Sequence, residues 1–215
     1  TASEVDQVRR ETGMSPVRYL ESLGCLGRRT LAVHCVVLSE DDIGLLARRG
    51  VSISHNAESN MKLASGIAPV PSLLRSGVNV SVGTDGCASN NNLDLIGEIS
   101  SVSKLHKITS MDPTVIDERC AFGMITASGA RALGHPGGVI EPGRPADIAV
   151  LDGDSPNLVP VHNPISHVIH AASGCNVKDV VIDGRIVVKS ARSVTIDEDA
   201  LLRECREIQR RIRGR

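Results

Sequence analysis

Aromatic residues are almost absent from this chain, whose 215 residues include no tryptophan, one tyrosine and one phenylalanine. Tyr19 and Phe122 alone cannot build the platforms on which nucleic-acid bases stack. Basic and acidic residues also balance, at 24 and 25, and only the arginine-rich end, 203–215, concentrates positive charge that could follow a phosphate backbone. We therefore expect no nucleic acid as the main partner.

Long apolar runs and paired cysteines are missing too. No stretch approaches the roughly 20 apolar residues of a membrane-spanning helix, so we expect no membrane partner. The six cysteines form no Cys-x-x-Cys pair, which favours a reducing, cytoplasmic location. Residues 1–6 show neither an initiator Met nor a signal-peptide layout, and we expect the numbering to begin inside a longer gene product.

What the chain does contain is an alternation of short apolar runs and helical patterns. The apolar runs that predict strands are 30–33, 51–54 and 78–82. The segments with helical spacing are 3–10, 16–23, 39–49, 69–76, 93–106 and 113–133. Ser39 as an N-cap and Gly50 as a stop mark the third of these helices. Strand and helix in alternation indicate parallel βα units.

The composition changes near Gly137 to glycine, proline and β-branched residues. The runs 139–151 and 180–188 predict antiparallel strands, and Asp183-Gly184 predicts a hairpin turn. We therefore divide the chain into a partial barrel, a portion of a β-sandwich and a C-terminal helix, at residues 1–136, 137–197 and 198–215. Leu201, Leu202, Ile208 and Ile212 recur at helical spacing among arginines, which predicts an amphipathic helix that packs on the domain.

The fold class is α/β. Three βα units cannot close an eight-stranded barrel, and an open three-stranded parallel sheet would leave its faces poorly covered. The pattern therefore predicts that the chain holds only part of a (β/α)₈ barrel.

Each of the three apolar runs is followed by, or ends in, a residue that can bind a metal or move a proton: His34, His55 and Asp85. In (β/α)₈ barrels the catalytic groups lie at the carboxyl ends of the strands. Carboxylates bind divalent metals, and imidazole changes charge near neutral pH. Asp85 alone would more often cap a turn, and each histidine could instead be a buried side chain with one backbone partner. Together they favour a metal-dependent hydrolase site.

Three blocks of sequence carry a resemblance to a known family: 34–36, 54–71 and 83–94. They closely resemble the amidohydrolase superfamily, nearest to its 5-methylthioadenosine/S-adenosylhomocysteine deaminases. The enzymes that hydrolyse s-triazines and the guanine deaminases are similar but less close. The resemblance extends to about Asp197.

This resemblance implies a distorted (β/α)₈ barrel with one Zn²⁺ or Fe²⁺, of which the three strands here would be strands 6 to 8. Residues 137–196 would be half of a small β-sandwich. Among the family's metal ligands this chain would hold Asp85 alone, and Thr1–Val5 resembles the segment directly after the family's His-x-x-Glu motif. His34 corresponds to a catalytic histidine that orients the activated water.

The resemblance carries further residues only weakly to the substrate pocket: His55, Asn56, Ser89 and Asn90. The implied reaction is hydrolytic release of ammonia from C6 of an adenine ring, with Asp85 accepting a proton from water. The substrate would be a small purine nucleoside thioether or a related nitrogen heterocycle. Two alternatives stay open, namely hydrolysis of a triazine or guanine-like ring, and a non-catalytic remnant.

Two further expectations follow from the implied ligand set. Because most ligands would lie upstream, we expect this chain alone to be inactive. Family members often form dimers or larger assemblies, so a homo-oligomer also stays open.

The remaining histidines are not assigned to the site. His162, His167 and His170 suggest a metal site by number, but their segment matches a connecting region of the family away from the metal. His106 and His135 are predicted to lie at the surface or at helix ends.

Overall fold

The computed structural model describes residues 1–214, and three short strands form a parallel sheet within it. They are β1 (Leu31–Val33), β2 (Ser52–His55) and β3 (Asn79–Val82), in the order β1-β2-β3. Val33 pairs with Ser54, and His55 pairs with Val82. The carboxyl ends of the three strands therefore meet at one edge of the sheet.

Helices precede, separate and follow these strands. In chain order they are α1 (Ala2–Thr12), α2 (Pro16–Ser22), α3 (Glu40–Arg49), α4 (Ala57–Lys62), α5 (Val70–Arg75), α6 (Leu95–Ser110), α7 (Glu118–Met124), α8 (Ala127–Leu133), α9 (Pro164–His170) and α10 (Glu198–Arg213). The predicted alternation of strand and helix up to β3 is confirmed. At α3 the predicted ends are confirmed as well, because Ser39 caps the first turn and Gly50 closes the helix at φ 67.

The helical segment predicted over 113–133 is confirmed in part, since the structure has the two helices α7 and α8 there, and the first begins only at Glu118. Asp117 starts α7 by accepting a hydrogen bond from the Cys120 N–H. Thr126 then leaves the helical region at φ −124 and ψ −98, and its hydroxyl donates to the Phe122 carbonyl at 2.8 Å. A β-branched residue that bonds back to the preceding turn competes with continuation of the helix.

The second sheet is antiparallel and consists of β4 (Ile148–Leu151), β5 (Val177–Ile182), β6 (Arg185–Lys189) and β7 (Arg192–Ser193). The predicted hairpin turn is confirmed, with Asp183 at φ 48 and Gly184 at φ 75. The first strand begins only at Ile148 rather than at 139. Pro142 and Pro145 lie in that stretch, and proline cannot donate to a strand ladder.

Aliphatic side chains fill the core between the parallel sheet and its helices. Its largest buried apolar members are Ile43, Leu46, Ile53, Leu73, Ile99, Ile116, Met124 and Ile169. Strand β1 is less well covered, because Leu31 and Val33 are 36% and 48% exposed. No helix in the described range combines the length and the apolar character required to cross a bilayer.

The predicted C-terminal helix forms as α10, but the prediction that it packs on the domain is wrong. Its four large apolar side chains, Leu201, Leu202, Ile208 and Ile212, are 46% to 68% exposed. Within residues 1–214, Glu198 attaches the first turn of α10 to the preceding segment, since its side chain accepts hydrogen bonds from the Ser193 N–H and from Arg192. Residues 201–214 are all exposed. Arg215 lies outside the described residues.

Asp94 joins the parallel-sheet region to the antiparallel sheet. One carboxylate oxygen caps α6 by accepting from the N–H groups of Ile96 and Gly97 at 3.0 and 3.1 Å. The other accepts from the Gly174 N–H at 2.8 Å, and Gly174 begins the 3₁₀ turn that leads into β5. One side chain thus anchors two distant segments.

Replacement of Asp94 tests this junction. Asp94→Ala should lower the free energy of unfolding by about 1–2 kcal/mol, since an N-cap and a long-range bond are lost together. Urea denaturation measures the change. Asp197 is the matched control, because it caps the exposed α10 through the Ala200 N–H. Asp197→Ala should reduce helix content with an unchanged midpoint, and equal midpoint losses in both variants would contradict the junction.

Candidate active site

Asp85 lies just beyond the carboxyl end of β3. The Gly83 N–H extends the ladder by donating to the His55 carbonyl at 3.1 Å, after which the chain turns. Asp85 itself has φ 61, a left-handed conformation that few non-glycine residues adopt. Such strain persists where the surrounding contacts fix the backbone.

Two hydrogen bonds hold the Asp85 carboxylate. Oδ2 accepts from the Ser59 hydroxyl and Oδ1 accepts from the Gly86 N–H, each at 2.7 Å. These bonds, the Ser59 bond foremost, lower the pKa of Asp85 from 3.8 to about 2. The carboxylate is therefore ionised at neutral pH, and its side chain keeps 31% exposure through which the remaining lone pairs can act.

The lowered pKa also links Asp85 to acid stability. Its folded pKa of about 2 lies below the ordinary 3.8, so the native state binds the proton more weakly than the unfolded chain. The stabilising effect is present above pH 3.8 and is lost as the pH falls toward 2.

His34 follows β1 and faces Asp85. Its N–H extends the sheet by donating to the Ser54 carbonyl at 3.0 Å, and the residue is left-handed at φ 67. Nδ1 lies 2.8 Å from the Asn60 Oδ1, and Nε2 lies 3.9 Å from the Asp85 Oδ2. An amide oxygen only accepts, so Nδ1 carries a proton and Nε2 of the neutral ring is a free acceptor. A cation or proton donor between Nε2 and the carboxylate would satisfy both.

Helix α4 supplies the partners of both residues. Ser59 and Asn60 are adjacent in it, and both are buried. Asn60 Nδ2 is also buried, with no partner among the described residues. The sequence reasoning missed this pair. The available signal was consecutive polar residues in a short helix directly after a strand that ends in histidine.

His55 turns away from the surface. It is fully buried, and its Nε2 lies 3.2 Å from the Nε2 of His106. Burial, followed by the neighbouring His106, lowers the pKa of His55 to about 3. The prediction that His106 lies at the surface or at a helix end is wrong, since α6 continues to Ser110 and turns this residue inward. His135 is exposed after α8, as predicted.

Asn56, Ser89 and Asn90 support the loops around Asp85. Asn56 Nδ2 donates to the Gly83 carbonyl at 2.8 Å, and Asn90 Nδ2 donates to the Thr84 carbonyl at 2.9 Å. The Ser89 hydroxyl donates to the Gly86 carbonyl at 3.1 Å. All three side chains therefore hold backbone that carries the aspartate.

The C-terminal histidines point to separate partners. His167 Nε2 lies 3.1 Å from the Pro160 carbonyl oxygen, and His170 Nε2 lies 3.5 Å from a Glu118 carboxylate oxygen. Across residues 1–214, no three metal-ligating side chains come together.

The sequence matches the Amidohydrolase family over residues 1–187. The chain belongs to the amidohydrolase family. It is 52% identical over 213 residues to a 5-methylthioadenosine/S-adenosylhomocysteine deaminase of Syntrophobacter fumaroxidans, with 98% of this chain and 49% of that protein covered. It is 50% identical over 198 residues to a 5'-deoxyadenosine deaminase of Methanothermobacter thermautotrophicus, with 92% and 46% covered.

Solved amidohydrolase structures agree with this assignment. An adenosine deaminase from Xanthomonas campestris with bound zinc superposes with a TM-score of 0.97 at 39% identity, covering 100% of this chain and 49% of that one. An atrazine chlorohydrolase from Arthrobacter aurescens complexed with zinc gives 0.87 at 31% identity, covering 93% and 45%. The chain spans about half the length of the curated relatives it matches.

Ser59 offers a direct test of this geometry. Ser59→Ala removes the leading hydrogen bond to Asp85, so the pKa of Asp85 should rise from about 2 toward 3.8. Carboxyl-carbon NMR of Asp85 across an acid titration measures it. Ser72→Ala is the control, since the Ser72 hydroxyl contacts Arg75 instead and should leave the titration unchanged. An Asp85 that still titrates near 2 without Ser59 would contradict the assignment.

Proposed function

We propose that this chain supplies part of the active site of a metal-dependent aminohydrolase, with β1 to β3 as strands 6 to 8 of a (β/α)₈ barrel. The observation that carries the proposal is the pairing of an ionised Asp85 with the Nε2 of His34, 3.9 Å apart at the strand ends. The deaminase names of the relatives support the reaction type.

The residues at this edge fit a divalent metal in part. Asp85 is ionised and part-exposed, and a carboxylate is a suitable ligand for zinc or iron. Residues 1–214 contain no group of three His, Cys, Asp or Glu side chains that could hold a metal ion, so Asp85 would be one ligand of a set completed by other residues. The bound ion would supply the Lewis acidity that activates water.

This chain's own groups would position and deprotonate that water. Asp85 keeps lone pairs free of the Ser59 and Gly86 bonds and accepts the proton. His34, held by Asn60 through Nδ1, presents Nε2 toward the same space and orients the water by accepting a hydrogen bond from it. Both act from backbone fixed by the strand ladder, so little reorganisation is needed during reaction.

The proposed substrates are purine nucleosides altered at the 5' position. Both relatives' names combine deamination with such a nucleoside, so ammonia would leave C6 of the adenine ring. Of the four residues assigned weakly to the substrate pocket, Asn56, Ser89 and Asn90 would act by holding the backbone beside Asp85, and His55 would act through its buried contact with His106. Hydrolysis of a triazine ring ranks second, because the atrazine chlorohydrolase shares the fold at 31% identity. A homo-oligomer stays a prediction.

The complete amidohydrolase that contains this chain, loaded with zinc, provides the test. It should release ammonia from S-adenosylhomocysteine, 5-methylthioadenosine or 5'-deoxyadenosine in preference to guanine or atrazine. Asp85→Asn should lower kcat/KM by about 10²- to 10⁴-fold, since the proton acceptor is lost. The exposed Asp154→Asn serves as the control and should retain full activity. Metal-loaded protein that deaminates none of the nucleosides would overturn the substrate class.

The 215-residue chain alone should show no measurable turnover on the same substrates. Its described residues gather too few ligands for tight metal binding, and affinity requires the full ligand set. Ammonia release and zinc content after dialysis measure both properties. Turnover near the rate of the complete enzyme would refute this expectation.

A further inference from the structure

Glu98 is a buried carboxyl group behind the candidate active site. It lies on α6 with no exposed surface, and burial raises the pKa of Glu98 to about 7. A carboxyl group in such surroundings costs free energy unless its oxygens are satisfied. The partners that satisfy them identify what this side chain holds.

The first partner is the start of α4. Asn56 occupies the N-cap position but makes no capping bond, because its side chain reaches Gly83 instead. The Glu58 N–H, one of the groups that a helix start leaves open, donates to the Glu98 Oε1 at 2.9 Å. A carboxylate from α6 therefore caps α4, which a residue of α4's own segment would ordinarily do.

The second partner is the loop that carries Asp85. Asn90 Nδ2 donates to the Glu98 Oε2 at 3.1 Å and also to the Thr84 carbonyl at 2.9 Å. Thr84 directly precedes Asp85. Through Asn90, the second oxygen of Glu98 is therefore connected to the backbone immediately before the candidate metal ligand.

A second tie binds the same two helices. The Glu58 side chain accepts from the Ser101 hydroxyl at 2.7 Å and from the Asn92 Nδ2 at 3.0 Å. Ser101 lies one turn beyond Glu98 on α6. The first turn of α4 is therefore fixed to α6 through both its backbone and its side chain.

We propose that Glu98 is a positioning residue, which caps α4 from α6 and thereby holds Ser59 against Asp85 and Asn60 against His34. The proposal rests on the proposed function, since it assigns Glu98 a part in the same active site. Ser59 and Asn60 follow the capped Glu58 within one helical turn, and each makes the bond that sets its partner's charge or tautomer. Movement of the α4 start would disturb both together.

The test compares three variants in the complete, zinc-loaded amidohydrolase. Glu98→Met fills the space without an acceptor, Glu98→Gln keeps one acceptor oxygen, and Ile99→Val trims the neighbouring core of α6 without touching any of these bonds. Amide hydrogen exchange of residues 57–60 reports the α4 start, and steady-state kinetics report the site.

Glu98→Met should speed exchange over 57–60 by about tenfold or more and lower kcat by about tenfold or more with KM nearly unchanged. Glu98→Gln should recover part of both losses, and Ile99→Val should change neither. The proposal is overturned if Glu98→Met leaves exchange and kcat at parent values, or if Ile99→Val reproduces its effects. If Glu98→Met does not fold, exchange over 57–60 and kcat are compared between Glu98→Gln and Ile99→Val, and the same criteria apply to Glu98→Gln.

The two proposals fail separately in this design. If the parent protein deaminates no nucleoside, the proposed function is contradicted. Exchange over 57–60 then still shows whether Glu98 holds α4. Normal deamination with exchange and kcat insensitive to Glu98 removes the positioning role alone.

Discussion

The parallel pairing of β1, β2 and β3 is the constraint on which the rest of the molecule depends. Each strand is short, yet backbone bonds from His34 to Ser54 and from Gly83 to His55 extend the ladder one residue beyond the regular strands. These bonds fix where the chain leaves the sheet. A slip of one residue would turn every strand side chain to the opposite face and would separate His34 from Asp85.

The polar layer at that sheet edge consists of His34 and Asp85 with their partners Ser59 and Asn60. It depends on helix α4, which carries both partners. Two left-handed residues, His34 and Asp85, occupy conformations that cost free energy, and neighbouring residues of α4 hold both side chains. The backbone of these two residues is strained, and their side chains are held in fixed directions by the bonds to α4. Its members belong to different βα units, so its geometry reports the packing of the parallel sheet and its helices rather than any single loop.

Sequence patterns predicted the positions that depend on local periodicity. The strand ends, the caps of α3 and the Asp183-Gly184 turn follow from short-range rules. The same rules placed His34 and Asp85 beyond strand ends, and their role as site residues stays a prediction. Residues whose roles arise from tertiary contact were missed or misjudged. His106 contacts His55 of β2, a residue 51 positions earlier in the chain. Helix α10 does not pack on the domain, although its apolar spacing is regular. The spacing of apolar residues predicts which face of a helix is apolar, but it does not predict which other surface packs against that face.

The aliphatic core has an optical consequence. With no tryptophan, and with a single tyrosine and a single phenylalanine in 215 residues, the chain has almost no near-ultraviolet absorbance or intrinsic fluorescence of its own. Phe122, half-buried beside the core, is the natural place for one indole. A tryptophan there would report on its surroundings against a dark background, so the folding of this region could be followed through a single chromophore.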